Sequence, residues 1–145
     1  MKSGVSAHAP RKAVAECVSG VLIGNSSVLV EKQRADDDAD LGLVLLPGGH
    51  VEVGESLNGA LKREMREELG IRVKKMTPIR VRYYTASNGE RQRIHYFRIK
   101  EWKGKIRSNE AETVYWESDI SHLSDTLERR IVLKLLSQVS PGLEH

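Results

Sequence analysis

The sequence lacks several features that would define whole classes of protein. Cys17 is the only cysteine among 145 residues, so no internal disulfide can form and we expect a reducing, cytoplasmic setting. The longest apolar stretch, residues 18–30, is interrupted by glycine, serine and asparagine, and it is too short to span a bilayer. Residues 1–12 have no apolar run, so no signal peptide is expected.

No internal repeat or low-complexity linker divides the chain. With 39% apolar and 30% charged residues, the composition is typical of a soluble globular domain. We therefore predict one domain over residues 1–142 and interpret residues 143–145 as the remnant of a purification tag. The net charge of +3 fits an anionic small molecule as easily as nucleic acid, so it does not decide between them.

The hydrophobic pattern predicts both strands and helices. Leucine or methionine recurs at every fourth residue from Leu57 to Leu69, which indicates a helix that begins after Ser56 and ends at Gly70. This order of elements predicts an α/β fold with a mixed sheet packed between helices. The other predicted elements are a β-hairpin over 13–23 and 28–33, a strand over 43–46 that ends at Pro47-Gly48-Gly49, two long strands over 72–100 around Asn88-Gly89, a strand over 113–116 and a helix over 124–138.

Three glutamates of the predicted helix have a spacing that suggests chemistry. Glu64, Glu67 and Glu68 stand at i, i+3 and i+4, so a helix places them along one side. On a helical projection Glu68 points into the arc of the apolar residues, and a buried carboxylate must be paired or bound to metal. Oxygen ligands on one helix favour Mg²⁺ or Mn²⁺. The residues alone leave two interpretations open: a metal-dependent site for phosphate chemistry, or a helix held by structural ion pairs.

The stretch from Gly49 to Ile71 resembles the Nudix box. That pattern consists of a glycine, five residues, a glutamate, seven residues, and then the run that reads here from Arg63 to Ile71, and every constrained position matches. At average composition, a chance match in a chain of this length has a probability of roughly 10⁻⁷. The resemblance implies the Nudix fold, a mixed β-sheet sandwiched between α-helices, over about residues 14–138.

The same resemblance implies roles for residues of the box. Glu64, Glu67 and Glu68 match the family's metal-binding glutamates, with Mg²⁺ as the expected ion and Mn²⁺ as an alternative. Glu64 also matches the position of the general base, which must reach the attacking water. Glu55 would bind metal through water or support the base, and Arg63 would orient the carboxylates.

Two further metal ligands are implied by the resemblance: the carbonyl of Gly49 and the carboxylate of Glu110, for which Glu112 is a close competitor. Glu110 belongs to a flank that resembles bacterial MutT-type enzymes. The asparagine with which those enzymes recognise an oxidised guanine is not found, which argues against that specificity. Arginines of the two long strands either bind the outer phosphates of the substrate or form the solvated side of the hairpin, and the candidates for phosphate binding are Arg80, Arg82 and Arg93.

Three functions follow from these expectations. The leading hypothesis is a nucleoside triphosphate pyrophosphohydrolase, a hydrolase of phosphorus-containing acid anhydrides. The alternative is a hydrolase of ADP-ribose or a dinucleoside polyphosphate. A non-catalytic module that senses a nucleotide or binds RNA ranks last, because the chain keeps every glutamate of the box. We expect a small nucleotide as the partner, with neither a membrane nor a nucleic acid, and we leave a homodimer open.

Overall fold

The computed structural model describes residues 13–32, 42–108 and 113–138. Two helices and eight strands lie in these ranges, together with one short 3₁₀ helix. In chain order they are β1 (Ala15–Val21), β2 (Ile23–Gly24), β3 (Ser27–Lys32), β4 (Val44–Leu45), β5 (Gly48–His50), α1 (Leu57–Leu69), β6 (Arg72–Thr85), β7 (Arg91–Lys103), β8 (Thr113–Glu117), the 3₁₀ helix (Ile120–His122) and α2 (Thr126–Ser137).

The central sheet has the strand order β5-β1-β7-β6. Strands β1 and β7 run parallel, and the other two pairs run antiparallel, so the sheet is mixed as predicted. Strands β6 and β7 form the long hairpin predicted around Asn88-Gly89. Because β1 is central, its residues from Cys17 to Val21 are buried, and they contribute to the packing on both faces of the sheet.

The structure has a second sheet that was not predicted. Its pairing shows that the bounds predicted for the first hairpin are wrong. Strand β3 pairs with β2, β4 and β8, whereas β1 pairs only within the central sheet. The hairpin is therefore limited to β2 and β3, joined by Asn25 and Ser26, which both have positive φ as a tight two-residue turn requires. The sequence pattern did not show that the chain changes sheets at Leu22, because the apolar run continues through it, from Val21 to Ile23.

Helix α1 begins and ends where the sequence predicts. The Ser56 hydroxyl accepts a hydrogen bond from the Gly59 amide, and Gly70 adopts the left-handed conformation at φ 75°. Leu61, Met65 and Leu69 are fully buried. They pack against one face of the central sheet in a core that also contains the following residues of β1 and β7: Val18, Phe97 and Ile99.

Helix α2 covers the opposite face. Asp125 caps it by accepting a hydrogen bond from the Glu128 amide, and Ile131, Val132 and Leu135 pack in a second core with Tyr96 of β7. The mixed sheet thus lies between two helices, and the predicted fold class is confirmed. Neither helix in the described ranges is long and apolar enough to cross a membrane.

Strand β5 was predicted to be a loop. The sequence indicated that Pro47-Gly48-Gly49 ends a strand, but the chain re-enters the central sheet there and pairs antiparallel with β1. Gly48 allows this, because a Cβ atom at that position would overlap the Val18 carbonyl oxygen. This close approach places Gly49 and His50 directly beside the N-terminal half of α1.

Candidate active site

The loop between β5 and α1 is closed by its own hydrogen bonds. The Glu55 amide donates to the Glu52 carbonyl at 3.0 Å, and the Glu52 amide donates to Glu55 Oε1 at 2.8 Å. Gly54 lies inside this turn at φ 85°, a conformation that strains residues with a side chain. The turn directs the carboxylate of Glu55 toward α1.

Arg63 joins this loop to the helix. Its Nε donates to Glu55 Oε2 at 2.6 Å and its Nη2 to Glu55 Oε1 at 2.9 Å, a bidentate pair. Nη2 also donates to the His50 carbonyl at 2.9 Å. The hydrogen bonds from Arg63, followed by the one from the Glu52 amide, hold the pKa of Glu55 below its usual value. The same pairing with Glu55 raises the pKa of Arg63, so this guanidinium stays charged.

The other side of the guanidinium contacts the helix glutamates. Arg63 Nη1 donates to Glu64 Oε2 and to Glu67 Oε1, each at 3.1 Å. One arginine therefore holds three carboxylates of the box, those of Glu55, Glu64 and Glu67, on a single side of α1. The arrangement fits the predicted orienting role.

Glu64 is the most deeply placed of the three helix glutamates. Its residue is 9% exposed, while Glu68 is half-buried and Glu67 is exposed. The helical projection had placed Glu68 nearest the core. Glu64 is more fully buried because β5 lies against the helix there, and a Cβ atom at Gly49 would overlap the Glu64 carboxylate; one carboxylate oxygen of Glu68 is buried as well. Gly49 is therefore required by packing against the site.

The donor set around α1 is chemically suited to a hard divalent cation. Carboxylate and carbonyl oxygens are the ligands that Mg²⁺ prefers, and the missing side chain of Gly49 leaves room for the Glu64 carboxylate against β5. In the described ranges no three acidic, histidine or cysteine side chains converge into a metal-binding cluster. The guanidinium of Arg63 lies between the carboxylates of Glu55, Glu64 and Glu67 and donates hydrogen bonds to all three. The remaining predicted ligand, Glu110, and its competitor Glu112 lie outside the described residues.

A cavity of about 170 Å³ lies on the opposite face of the central sheet and shares β5 with the glutamate site. Its wall is contributed by β1, β3, β4, β5, β6, β7 and α2. Apolar and aromatic groups make up much of the lining, including Leu45, Tyr84 and Ile94. Gly49 lines the cavity and also lies against the Glu64 carboxylate, so the cavity and the glutamate site adjoin at β5.

Glu128 is a buried polar residue of this cavity that the sequence analysis missed. It is 6% exposed, and its carboxylate accepts hydrogen bonds from the Leu46 amide at 3.0 Å and from the Tyr96 hydroxyl at 2.9 Å. Burial raises the pKa of Glu128 to about 7 despite these two bonds. A signal was present in the sequence: Glu128 shares the buried face of α2 with Ile131 and Leu135, at a helical spacing of three and seven residues.

The three predicted phosphate-binding arginines lie in different places. Arg82 lines the cavity, where it forms an ion pair with Asp125 and its guanidinium stacks 4.9 Å from the centre of the Tyr84 ring. Arg93 points to the opposite face of the sheet and pairs with Glu16 at 2.7 Å. Arg80 is exposed beside α2. The structure therefore brings Arg82 to the cavity but does not gather the three arginines.

The fold and the glutamate site can now be compared with known proteins. A family model described as the NUDIX domain matches residues 15–132, which include the loop, α1 and the whole central sheet. The chain belongs to this family. The resemblance identified in the box is thereby confirmed, and Nudix hydrolases generally use divalent metals.

Two curated relatives are similar over most of the chain. The 8-oxo-dGTP diphosphatase of Buchnera aphidicola from Schizaphis graminum is 29% identical over 129 residues, which cover 81% of this chain and 95% of that protein. The CTP pyrophosphohydrolase of Escherichia coli K12 is 30% identical over 106 residues, covering 70% of this chain and 73% of that protein. With the family, they confirm that the chain is a hydrolase of phosphorus-containing anhydrides.

Solved structures support the fold. The crystal structure of a MutT NUDIX hydrolase from Burkholderia pseudomallei is similar with a TM-score of 0.71 and 25% identity, over 89% of this chain and 100% of that one. The solution structure of the E. coli ORF135 protein also has a TM-score of 0.71, at 24% identity, over 90% of this chain and 96% of that one. The MutT-like assignment and the fold class predicted from the sequence are both confirmed.

Proposed function

We propose that this Nudix hydrolase cleaves a diphosphate bond in a nucleoside triphosphate and releases a nucleoside monophosphate and pyrophosphate. The observation that carries the proposal is the junction at β5, where a site rich in carboxylates and a partly aromatic cavity meet. Such a junction can accept a polyphosphate on one side and a base on the other. The names of the two curated relatives, which both refer to nucleoside triphosphates, support this choice.

In this proposal Glu64, Glu67 and Glu68 hold the divalent cation, together with the carbonyl of Gly49 and the carboxylate of Glu110. We take Mg²⁺ as the cation and Mn²⁺ as its substitute. The bound ion supplies positive charge to the diphosphate and lowers the pKa of the attacking water. Three carboxylates on one side of a helix repel one another, so the ion also relieves a repulsion that Arg63 only partly compensates.

Residues of the chain orient the general base and accept the proton of the attacking water. Glu64 accepts the proton of the attacking water, because it is the buried carboxylate held against β5. Arg63 fixes one oxygen of Glu64 at 3.1 Å, and Glu55 in turn fixes Arg63 through two hydrogen bonds. The loop that carries Glu55 therefore sets the direction in which Glu64 presents its second oxygen.

The cavity takes the nucleoside. Tyr84 and Ile94 provide flat and apolar surface for a base, and Arg82 reinforces the wall through its ion pair with Asp125. In this placement Arg82 lies beside the base of the substrate. We therefore propose that groups nearer α1, and not Arg82, bind the phosphates. Phosphate binding by Arg80 and Arg93 stays a prediction from the sequence. The cytoplasmic location also stays a prediction.

A substrate panel tests the proposal. We would incubate the chain with Mg²⁺ and with ribo- and deoxyribonucleoside triphosphates, ADP-ribose and diadenosine polyphosphates, and measure pyrophosphate and orthophosphate separately. The proposal expects pyrophosphate and a monophosphate from at least one triphosphate, and no reaction when the metal is chelated. Turnover of ADP-ribose or dinucleoside polyphosphates alone would replace the proposal with its alternative. Binding without hydrolysis would identify a non-catalytic module.

A further inference from the structure

Glu128 has no part in the mechanism above, yet it is buried in the wall of the cavity. A carboxylate in such a place needs either a structural or a ligand-binding explanation, because its desolvation costs free energy. Its two protein partners come from different elements, the Leu46 amide before β5 and the Tyr96 hydroxyl on β7. Each oxygen of a carboxylate can accept two hydrogen bonds, so these partners use about half of its capacity.

Several hydrogen-bond donors around the cavity are engaged with protein acceptors. The guanidinium of Arg82 donates to Asp125, the Gln92 amide donates to Glu90, and the Gly48 amide donates to Glu31. The Tyr96 hydroxyl donates to Glu128 itself. Because Glu128 keeps about half of its acceptor capacity in the wall of the cavity, a base edge that carries N–H groups matches it.

We propose that Glu128 is a specificity-determining residue that accepts a hydrogen bond from the amino group of the base, so that the enzyme prefers nucleotides of amino-bearing bases. Cytosine, adenine and guanine have such a group, whereas uracil and hypoxanthine have a carbonyl or a hydrogen atom at the matching place. The inference rests on the proposed function, because it assigns the cavity to the base. Glu128 lies on α2, across the central sheet from the glutamates of α1, so this contact is separate from the phosphate chemistry.

Equilibrium binding of nucleoside monophosphates tests this without metal or turnover. We would measure the Kd of three pairs by calorimetry: CMP against UMP, AMP against IMP, and GMP against IMP. The assay runs at about pH 8.5, where the Glu128 carboxyl is ionised. We expect the amino member of at least one pair to bind about 10- to 100-fold more tightly, the scale of one hydrogen bond to a charged acceptor.

Two variants separate recognition from a merely structural role. Glu128→Gln keeps the shape and can still accept from the Leu46 amide while donating to Tyr96, but it loses the charge; we expect the preference to fall to within about threefold. Glu101→Gln makes the same change on an exposed residue of β7 whose partner is Lys75, and it should keep the preference. If Glu128 only holds α2 in place, its variant will lose stability while the amino preference stays unchanged, and this outcome overturns the inference.

The wild-type protein provides a test that needs no variant. Protonation of Glu128 removes its acceptor charge, so the amino preference should shrink as the pH falls from about 8.5 to about 5.5. The other titratable or charged groups that line this cavity are Cys17, Glu31, His50, Arg82, Tyr84, Tyr96 and Asp125. If the amino preference that remains in Glu128→Gln does not change with pH, the pH dependence of the wild type is due to Glu128 and not to these groups. Hydrolysis of triphosphates without any amino preference would refute this inference alone. Failure of every nucleotide to bind or react would refute the proposed function too.

Discussion

The substitution Glu128→Gln should change how the stability of the fold depends on pH. Glu128 is 6% exposed, and burial raises the pKa of its carboxyl from an ordinary value of 4.5 to about 7 in the folded chain. Between these two values the folded state binds the proton more tightly than the unfolded state. Wild-type stability is therefore favoured at low pH and is lost as the pH rises toward 7.

The pKa sets the size of this effect. Each tenfold difference in proton affinity corresponds to about 1.4 kcal/mol, so the displacement to about 7 amounts to roughly 3 kcal/mol between pH 4 and pH 8. The glutamine side chain of the variant does not titrate, so the variant lacks this contribution at every pH. For a chain of this size, roughly 3 kcal/mol corresponds to a difference of about 6–12 °C in Tm.

Urea unfolding of both proteins between about pH 5 and pH 8 measures the difference directly. The free energy of unfolding of Glu128→Gln minus that of the wild type should increase by about 2–3 kcal/mol across this range. Other titrating groups affect both proteins equally and cancel. Glu101→Gln, an exposed change on β7, should show no such trend. Two parallel pH profiles for Glu128→Gln and the wild type would refute the account of the buried carboxyl.

Three further predictions concern the glutamate site. Gly49→Ala should lower kcat by about 10² at saturating Mg²⁺, because its Cβ must displace the Glu64 carboxylate; circular dichroism checks the fold, and unchanged kcat would show that the contact is not needed. Arg63→Ala should weaken Mg²⁺ dependence or activity by about 10- to 100-fold, whereas Arg66→Ala, exposed on the same helix, should not. Glu67→Gln should reduce kcat by about 10² or more; near-wild-type turnover would remove it from the metal site.

The elements that carry their own local signals were predictable from the sequence. Helix α1 has a cap at Ser56, a left-handed glycine at Gly70 and apolar residues every fourth position, and the structure begins and ends it there. The turn at Asn88-Gly89 and the alternating strands around it likewise predicted the β6–β7 hairpin. The box could be recognised because its residues are fixed in spacing along one loop and one helix.

The features that depend on distant packing were not predictable in the same way. Whether β1 pairs with β3 or joins the central sheet is decided by β7, which follows it by some seventy residues. The deeper burial of Glu64 results from β5 lying over α1, which no helical projection contains. Glu128 became visible only when Leu46 and Tyr96 were brought to it from two other elements.

Hydrolysis in ¹⁸O-labelled water tests the central claim most directly, because the proposed function has water attack a phosphorus atom of the substrate. In the described ranges, the one free cysteine is Cys17, a buried thiol whose pKa is raised to about 11 by burial, so it is a poor covalent nucleophile. With a triphosphate substrate and Mg²⁺, we predict one ¹⁸O atom per turnover on a phosphate product and none on the sugar or base. Label in the nucleoside, or a phosphorylated enzyme trapped during turnover, would contradict direct attack by water.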